Sequence, residues 1–322
     1  MIQKPENMNF SDQKFSMIIY GSPGTGKTTM ALSAPKPILL DFDRGISRVR
    51  AEHRKPTSIC NVYEEVLADI HSPEMAEFET VVIDTGGSFI TFLKDWAMRT
   101  KAGVRNKNGE FNGRVGYGIV KNEFAAFTEE LKTRLHKNVI YVFHSVESAD
   151  KDGNPVQRLM CEGSTKNTVW TPCDFGGYVQ MVDTKRVICF TPEQEFFAKG
   201  CHGITGRREI PTLEPGKTND FITRLFEEAK ANIQAENDVF APQKEAYEQA
   251  MVRGREIIAS VTDADSANAA MPVFKAIPHS LTSQKELGSL WNARCKELGL
   301  FYDKVLGAYT PAPAAQPGPK EG

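Results

Sequence analysis

The run Gly21-Ser22-Pro23-Gly24-Thr25-Gly26-Lys27-Thr28, followed by Thr29, combines residue types and a spacing that grip phosphate. It fits G-x-x-x-x-G-K-[ST] at each fixed position, follows an apolar run expected as a strand and opens an expected helix, which is the context the motif requires. Glycines let successive backbone N–H groups point at phosphate oxygens, and the helix N-terminus adds its partial positive charge. Lys27 is expected to reach the β- and γ-phosphates and Thr28 to ligate Mg²⁺, so the predicted ligand is ATP with Mg²⁺, held by residues 21 to 29. Such a loop needs a carboxylate at the end of a neighbouring strand. Glu79-Thr80-Val81-Val82-Ile83-Asp84 supplies one, and Asp84 is predicted to hold the metal with Thr28.

These residues must be positioned by their elements. From Phe15 to about Ile210, short β-branched runs alternate with longer amphipathic stretches, the rhythm of an α/β fold with a mostly parallel sheet flanked by helices. Strands are expected at Ser16–Tyr20, Pro37–Asp41, Thr80–Asp84, Asn138–Phe143, Arg186–Phe190 and Glu195–Ala198. The last two are separated by a hairpin-length connection, so antiparallel pairing should end the sheet. Helices are expected at Thr28–Leu32, Tyr63–Ile70, Gly87–Arg99, Gly118–Leu135 and roughly Trp170–Met181. The resulting division is an N-terminal extension (1–14), a P-loop domain (15–215), a helical C-terminal region (216–308) and a disordered tail rich in Pro, Ala and Gly (309–322). Within the helical region, Phe221–Ala231, Gln243–Val261, Ala264–Phe274 and Leu281–Ala308 read as helices without strands between them.

Composition narrows the function classes. The 322 residues suffice for an α/β domain and an accessory one, and a formal net charge of −2 means that any nucleic-acid contact must come from local patches. The six cysteines are scattered without a CxxC pair, which excludes a zinc ribbon or thioredoxin motif and leaves them as reduced thiols. The opening MIQKPENMNFSDQKF has no signal-peptide apolar region, and no run approaches the ~18 to 20 apolar residues of a membrane span. A cytoplasmic protein without a membrane partner is expected.

The GxPGTGKT spelling is similar to that of AAA+ ATPases, but their two adjacent acids at the metal-site strand are reduced here to Asp84 followed by Thr85. The chain more closely resembles the RecA-like ATPases and, within them, bacteriophage recombination ATPases with a minimal RecA core, AAA-domain proteins of the single-strand-annealing type. The resemblance covers roughly residues 15 to 215. It implies an ATPase at work in the host cytoplasm if phage-encoded, assembled as a homo-oligomeric ring or filament. The family's D-x-E sequence after the P-loop helix is matched by Asp41-Phe42-Asp43, so Asp43 takes the water-activating position, one methylene shorter than Glu and therefore a slower base. His144 ends the strand beyond Asp84 and matches the γ-phosphate sensor, where Gln is usual. Lys199 matches a basic residue donated across a subunit interface, while the second basic position expected nearby is occupied by Cys201 and His202.

The same resemblance gives a partner, single-stranded DNA. Between Thr100 and Tyr117 lie Lys101, Arg105, Lys107 and Arg114, with Phe111 and Tyr117 interleaved among glycines, a flexible basic and aromatic loop suited to phosphates and base faces. It occupies the place of the first DNA-binding loop of RecA-like proteins; Ser145–Lys166 occupies that of the second, without a basic excess. A further cluster, Arg44, Arg48, Arg50, Arg54 and Lys55, could line a groove or an interface but reads first as a solvated charged face. The functional expectation is a DNA-dependent ATPase promoting annealing or strand pairing, with a single-strand-binding or replication protein as a further partner. Two other readings stay open: an AAA+-like helicase loader, and a small-molecule phosphotransferase using the 101–117 loop as a lid.

Overall fold

A computed structural model describes residues 10, 12–162 and 169–311. Two compact units divide the chain, residues 10–233 and the residues from Gln234 onward.

The first unit is built on a nine-stranded sheet. In chain order its elements are β1 (Ser16–Gly21), α1 (Lys27–Ala31), β2 (Pro37–Asp41), β3 (Thr57–Ser58), α2 (Tyr63–Ile70), β4 (Thr80–Asp84), α3 (Gly86–Thr100), α4 (Gly113–Glu129), β5 (Asn138–Ala149), β6 (Pro155–Leu159), β7 (Phe175–Val182), β8 (Lys185–Cys189) and β9 (Arg207–Glu209). The strand order is β3-β2-β4-β5-β1-β7-β8-β9, with β6 paired to an extension of β5. Pairing is parallel from β3 to β7 and antiparallel through β8 and β9. This is the α/β architecture with a mostly parallel sheet and an antiparallel end that the sequence leads one to expect.

Why the central strands read as continuous apolar runs is visible in their side chains, which alternate between two covered faces. Ile18, Tyr20, Val81, Ile83, Val139, Tyr141 and Phe143 enter one core beneath α2, α3 and α4. Met17, Ile19, Leu39, Val82, Ile140 and Val142 enter the other, against α1 and the start of the helix Phe221–Ser260. Each such side chain, fully removed from water, contributes about 1.5–3 kcal/mol, so the register that buries both sets is strongly specified.

Several expectations are corrected. Trp170–Met181 is not a helix: Phe175–Val182 forms β7 beside β1, because Gly176 and Gly177 weaken a helix and leave room for the Trp170 ring and the Ile188 side chain, which a Cβ would meet at 2.0 and 2.3 Å. The terminal hairpin is accordingly β7–β8, turning at Asp183-Thr184, while Phe196 makes only isolated bridges. Ser145–Lys166 is not an open loop: residues 145–149 continue β5 and pair with β6, and residues 163–168 lie outside the described residues.

In the second unit, the helices are the later part of α5 (Phe221–Ser260), then α6 (Ala264–Lys275) and α7 (Ser283–Glu297). A hairpin follows where helix was expected, β10 (Leu300–Asp303) and β11 (Ala308–Pro311). Gly299 at φ 65° ends α7, and the Asp303 carboxylate accepts the Val305 and Leu306 N–H groups in the turn. Residues 309–311, read as tail, thus belong to a strand; 312–322 lie outside the described residues. Among the described residues no helix is long and apolar enough to cross a membrane.

Candidate functional site

The phosphate loop leaves the C-terminal end of β1, and an acidic residue and a histidine from two neighbouring strands stand beside it. Asp84 ends β4 and His144 lies near the end of the buried part of β5, which stands between β4 and β1. Register sets Gly21 opposite His144 and Asp84 opposite Val142. Carboxyl ends of parallel strands are where open α/β sheets collect ligands.

The loop's backbone needs its glycines for separate reasons. Gly24 and Gly26 adopt φ 79°, and a Cβ on Gly21 would stand 2.4 Å from the Val179 carbonyl oxygen of β7, a backbone atom that cannot move aside. Ser22, Pro23 and Gly24 are exposed, and the Thr25 hydroxyl donates to the Ser22 carbonyl at 2.9 Å. Lys27 is buried and donates to the Gly21 and Ser22 carbonyls at 2.9 and 2.7 Å, with burial lowering its ammonium to about 8.

Thr28 donates its hydroxyl to Asp84 Oδ2 at 2.5 Å. Burial pushes the Asp84 carboxyl up to about 6, with the Thr28 hydrogen bond opposing and the charges of Asp43 and Asp41 reinforcing the rise. A hydroxyl and a carboxylate oxygen side by side are hard donors suited to Mg²⁺, which typically takes one or two protein oxygens and completes its shell with phosphates and water. No cluster of three or more acidic, His or Cys ligands occurs among the described residues. When bound there, the ion would neutralise charge on the β- and γ-phosphate oxygens.

The acids of Asp41-Phe42-Asp43 divide their work. Asp41 is buried and accepts the Gly45 and Ile46 N–H groups at 2.8 Å each, shaping the turn after β2. Asp43 is half-exposed; its Oδ1 accepts from the Ser88 and Thr85 hydroxyls, and its Oδ2 lies 3.9 Å from His144 Nε2. Thr85 meanwhile caps α3 by accepting from the Ser88 N–H. Asp43, Thr85, Ser88 and His144 line an open cleft of ≈ 440 Å³ that continues to Val146 and Met160 of the hairpin segment. Burial and the Lys27 charge lower the His144 pKa against the opposing pull of Asp43, and its Nδ1 is buried without a hydrogen-bond partner among the described residues. The structure therefore brings Lys27, Thr28, Asp43, Asp84 and His144 together in one chain.

Lys199 is not brought to the loop within this chain. It pairs with Gly176 near the start of β7, toward the opposite end of the sheet, and its ammonium donates to the Cys173 carbonyl. The basic loop carries bonds of its own. Val104 is buried, the Asn106 side chain accepts the Asn108 and Glu110 N–H groups at 2.9 Å, and Arg105 bridges Phe111. Phe111 and Tyr117 are half-buried and meet edge to face at 5.1 Å, whereas Lys101, Arg105, Lys107 and Arg114 are exposed.

Two arginines near the loop carried no distinguishing signal in the sequence. Arg48, one of the five basic residues read as a solvated face, places its guanidinium where a Cβ on Gly45 would be 2.3 Å away, and its charge also lowers His144. Arg186, at the start of an ordinary β-branched run, lies against Gly26.

No curated protein matches the chain in sequence. Among solved structures, a KaiC-like protein from the hyperthermophilic archaeon Pyrococcus horikoshii OT3 is similar over 61% of this chain and 89% of that one, at 12% identity and a TM-score of 0.36. A family model described as "AAA domain" matches residues 13–202, a span that holds the loop, Asp43, Asp84 and His144. The chain, with a nucleotide-gripping loop and its acidic partners inside that span, belongs to this AAA-domain family of P-loop ATPases.

Proposed function

We propose that this ATPase binds ATP with Mg²⁺ and couples its hydrolysis to single-stranded DNA, as a homo-oligomer that promotes annealing or strand pairing in phage recombination or replication. In this reading Lys27 and the loop amides hold the triphosphate, Thr28 and Asp84 orient the metal, and Asp43 takes the proton of the attacking water. Ser88 and Thr85 fix the Asp43 carboxylate, and His144 at 3.9 Å registers whether the γ-phosphate is present.

The observation that carries the coupling is Lys94. It lies on α3, the helix that begins two residues after Asp84, and pairs with Glu162 just beyond β6. Its ammonium also stands 5.0 Å from the Phe111 ring and 6.0 Å from the Tyr117 ring. Both segments expected at DNA are thereby tied to one rigid helix rooted at the phosphate site, and His144 feeds directly along β5 into the hairpin. The 101–117 loop leaves the C-terminal end of α3 and folds back along it to Lys94.

Steady-state ATP hydrolysis with and without a long single strand, alongside Lys27→Ala, tests the reading. Stimulation by DNA that vanishes in the variant is expected; hydrolysis indifferent to DNA would remove the coupling and favour the loader.

A further inference from the structure

Resting on the nucleotide reading above, we infer that Arg186 is a phosphate-binding residue supplied by the same chain, a cation for the α- and β-phosphates on the side of the loop away from Asp84.

Topology puts it there. β7 runs parallel to β1 with Val179 opposite Gly21, but continues to Val182, beyond the end of β1. β8 returns antiparallel, with Ile188 opposite Val179 and Arg186 opposite Met181, so Arg186 stands two residues past the level of Gly21. Side chains two apart on a strand share a face, and Ile188 packs in the core that contains Met30 and Ala31 of α1. Arg186 therefore projects over the N-terminus of α1. A Cβ on Gly26 would meet its Nη1 at 2.4 Å, so the left-handed glycine before Lys27 leaves room for the guanidinium as well as for the turn.

The side chain is held in place yet its charge is uncommitted. Nη2 donates to the Pro211 carbonyl at 3.1 Å, a neutral partner, and no carboxylate pairs with Arg186 among the described residues. Around it a groove runs past Gly26, Thr29, Met30, Pro211 and Asn219, and Asn219 donates to the Thr29 carbonyl at 2.6 Å, pinning the groove's far wall to α1. Thr28 and Asp84 mark the metal side of the loop; Arg186 marks the other. A planar guanidinium presents paired donors to phosphate oxygens, which a point-charge ammonium does not. A cation beside Lys27 thus comes from β8 of the same chain, whereas Lys199 is engaged at the opposite end of the sheet.

The test is binding of a fluorescent Mg·ADP analogue to wild type, Arg186→Gln, Arg186→Lys and Lys27→Ala, at two salt concentrations, with pyrophosphate as competitor. Arg186→Gln should weaken ADP by at least tenfold, weaken pyrophosphate competition in parallel and flatten the salt dependence, while Arg186→Lys recovers part of each. A merely structural tether to Pro211 would leave the salt dependence unchanged, and that outcome overturns the inference. Arg186→Gln within twofold of wild type while Lys27→Ala loses ADP overturns it too and leaves the nucleotide reading standing. If Lys27→Ala also binds normally, the nucleotide reading itself fails. Should Arg186→Gln misfold, the Lys variant and the wild-type salt dependence decide.

Discussion

Asp43 shows how much depends on one methylene and its neighbours. Aspartate is shorter than the glutamate expected at a water-activating position, and here it is braced by two hydroxyls, Ser88 and Thr85, that set its orientation. If it is the base, Asp43→Asn should lower the hydrolysis rate by about 10²-fold or more, the span typical of general-base removal, and leave ADP affinity within about twofold. Single-turnover hydrolysis and equilibrium binding on the same preparation check this, and a rate unchanged by the substitution would reassign the role. Asp84 should behave differently, because it shares its oxygens with the Thr28 hydroxyl at the metal position. Asp84→Ala is expected to weaken Mg·ATP binding as well as turnover, with the loss diminishing when Mg²⁺ is raised.

At the scale of elements, α3 is the piece that links the parts. Its first residue, Gly86, packs directly on the Phe143 ring of β5, which a Cβ would meet at 2.3 Å. Gly86→Ala should therefore overpack the junction between the two strands' ends and destabilise the first unit by about 1–3 kcal/mol, read as a lower denaturation midpoint. Farther along the helix, Lys94 holds the Glu162 segment and the Phe111–Tyr117 pair. Lys94→Ala should keep basal hydrolysis within about twofold and lose most of the stimulation by single-stranded DNA. Stimulation equal to wild type would show that α3 does not carry the coupling.

For the molecule as a whole, each unit has a core of its own, which implies separable stabilities. The core of the second unit gathers Met251, Ile258, Ala267, Leu287, Trp291 and Tyr309, with the Trp291 indole donating to the Tyr309 hydroxyl at 2.7 Å to tie the hairpin to α7. Leu287 is fully buried against Gly254, so Leu287→Ala should cost this core about 2–5 kcal/mol and leave nucleotide affinity unchanged. Conversely, Mg·ADP at about 100 times its dissociation constant should stabilise the unit of residues 10–233 by about 2.7 kcal/mol. Amide exchange resolved by segment measures both effects; protection by nucleotide spreading evenly into residues 250–309 would contradict independent cores.

Local pattern alone determined the phosphate loop, its lysine and threonine, the acid ending β4 and the alternation that makes a parallel sheet, because each is written in residue types a few positions apart. Asp43 and His144 were legible through the family resemblance; their proximity to each other needed the order β2-β4-β5. The strand at Phe175–Val182 was hidden by its glycines, whose purpose is to admit Trp170 and Ile188 from elsewhere. Arg186 and Lys94 carry no local signature at all. An exposed cation looks the same in sequence whether it faces water or a phosphate loop, and only the return of β8 across the end of β7, or the run of α3 between two distant segments, decides which.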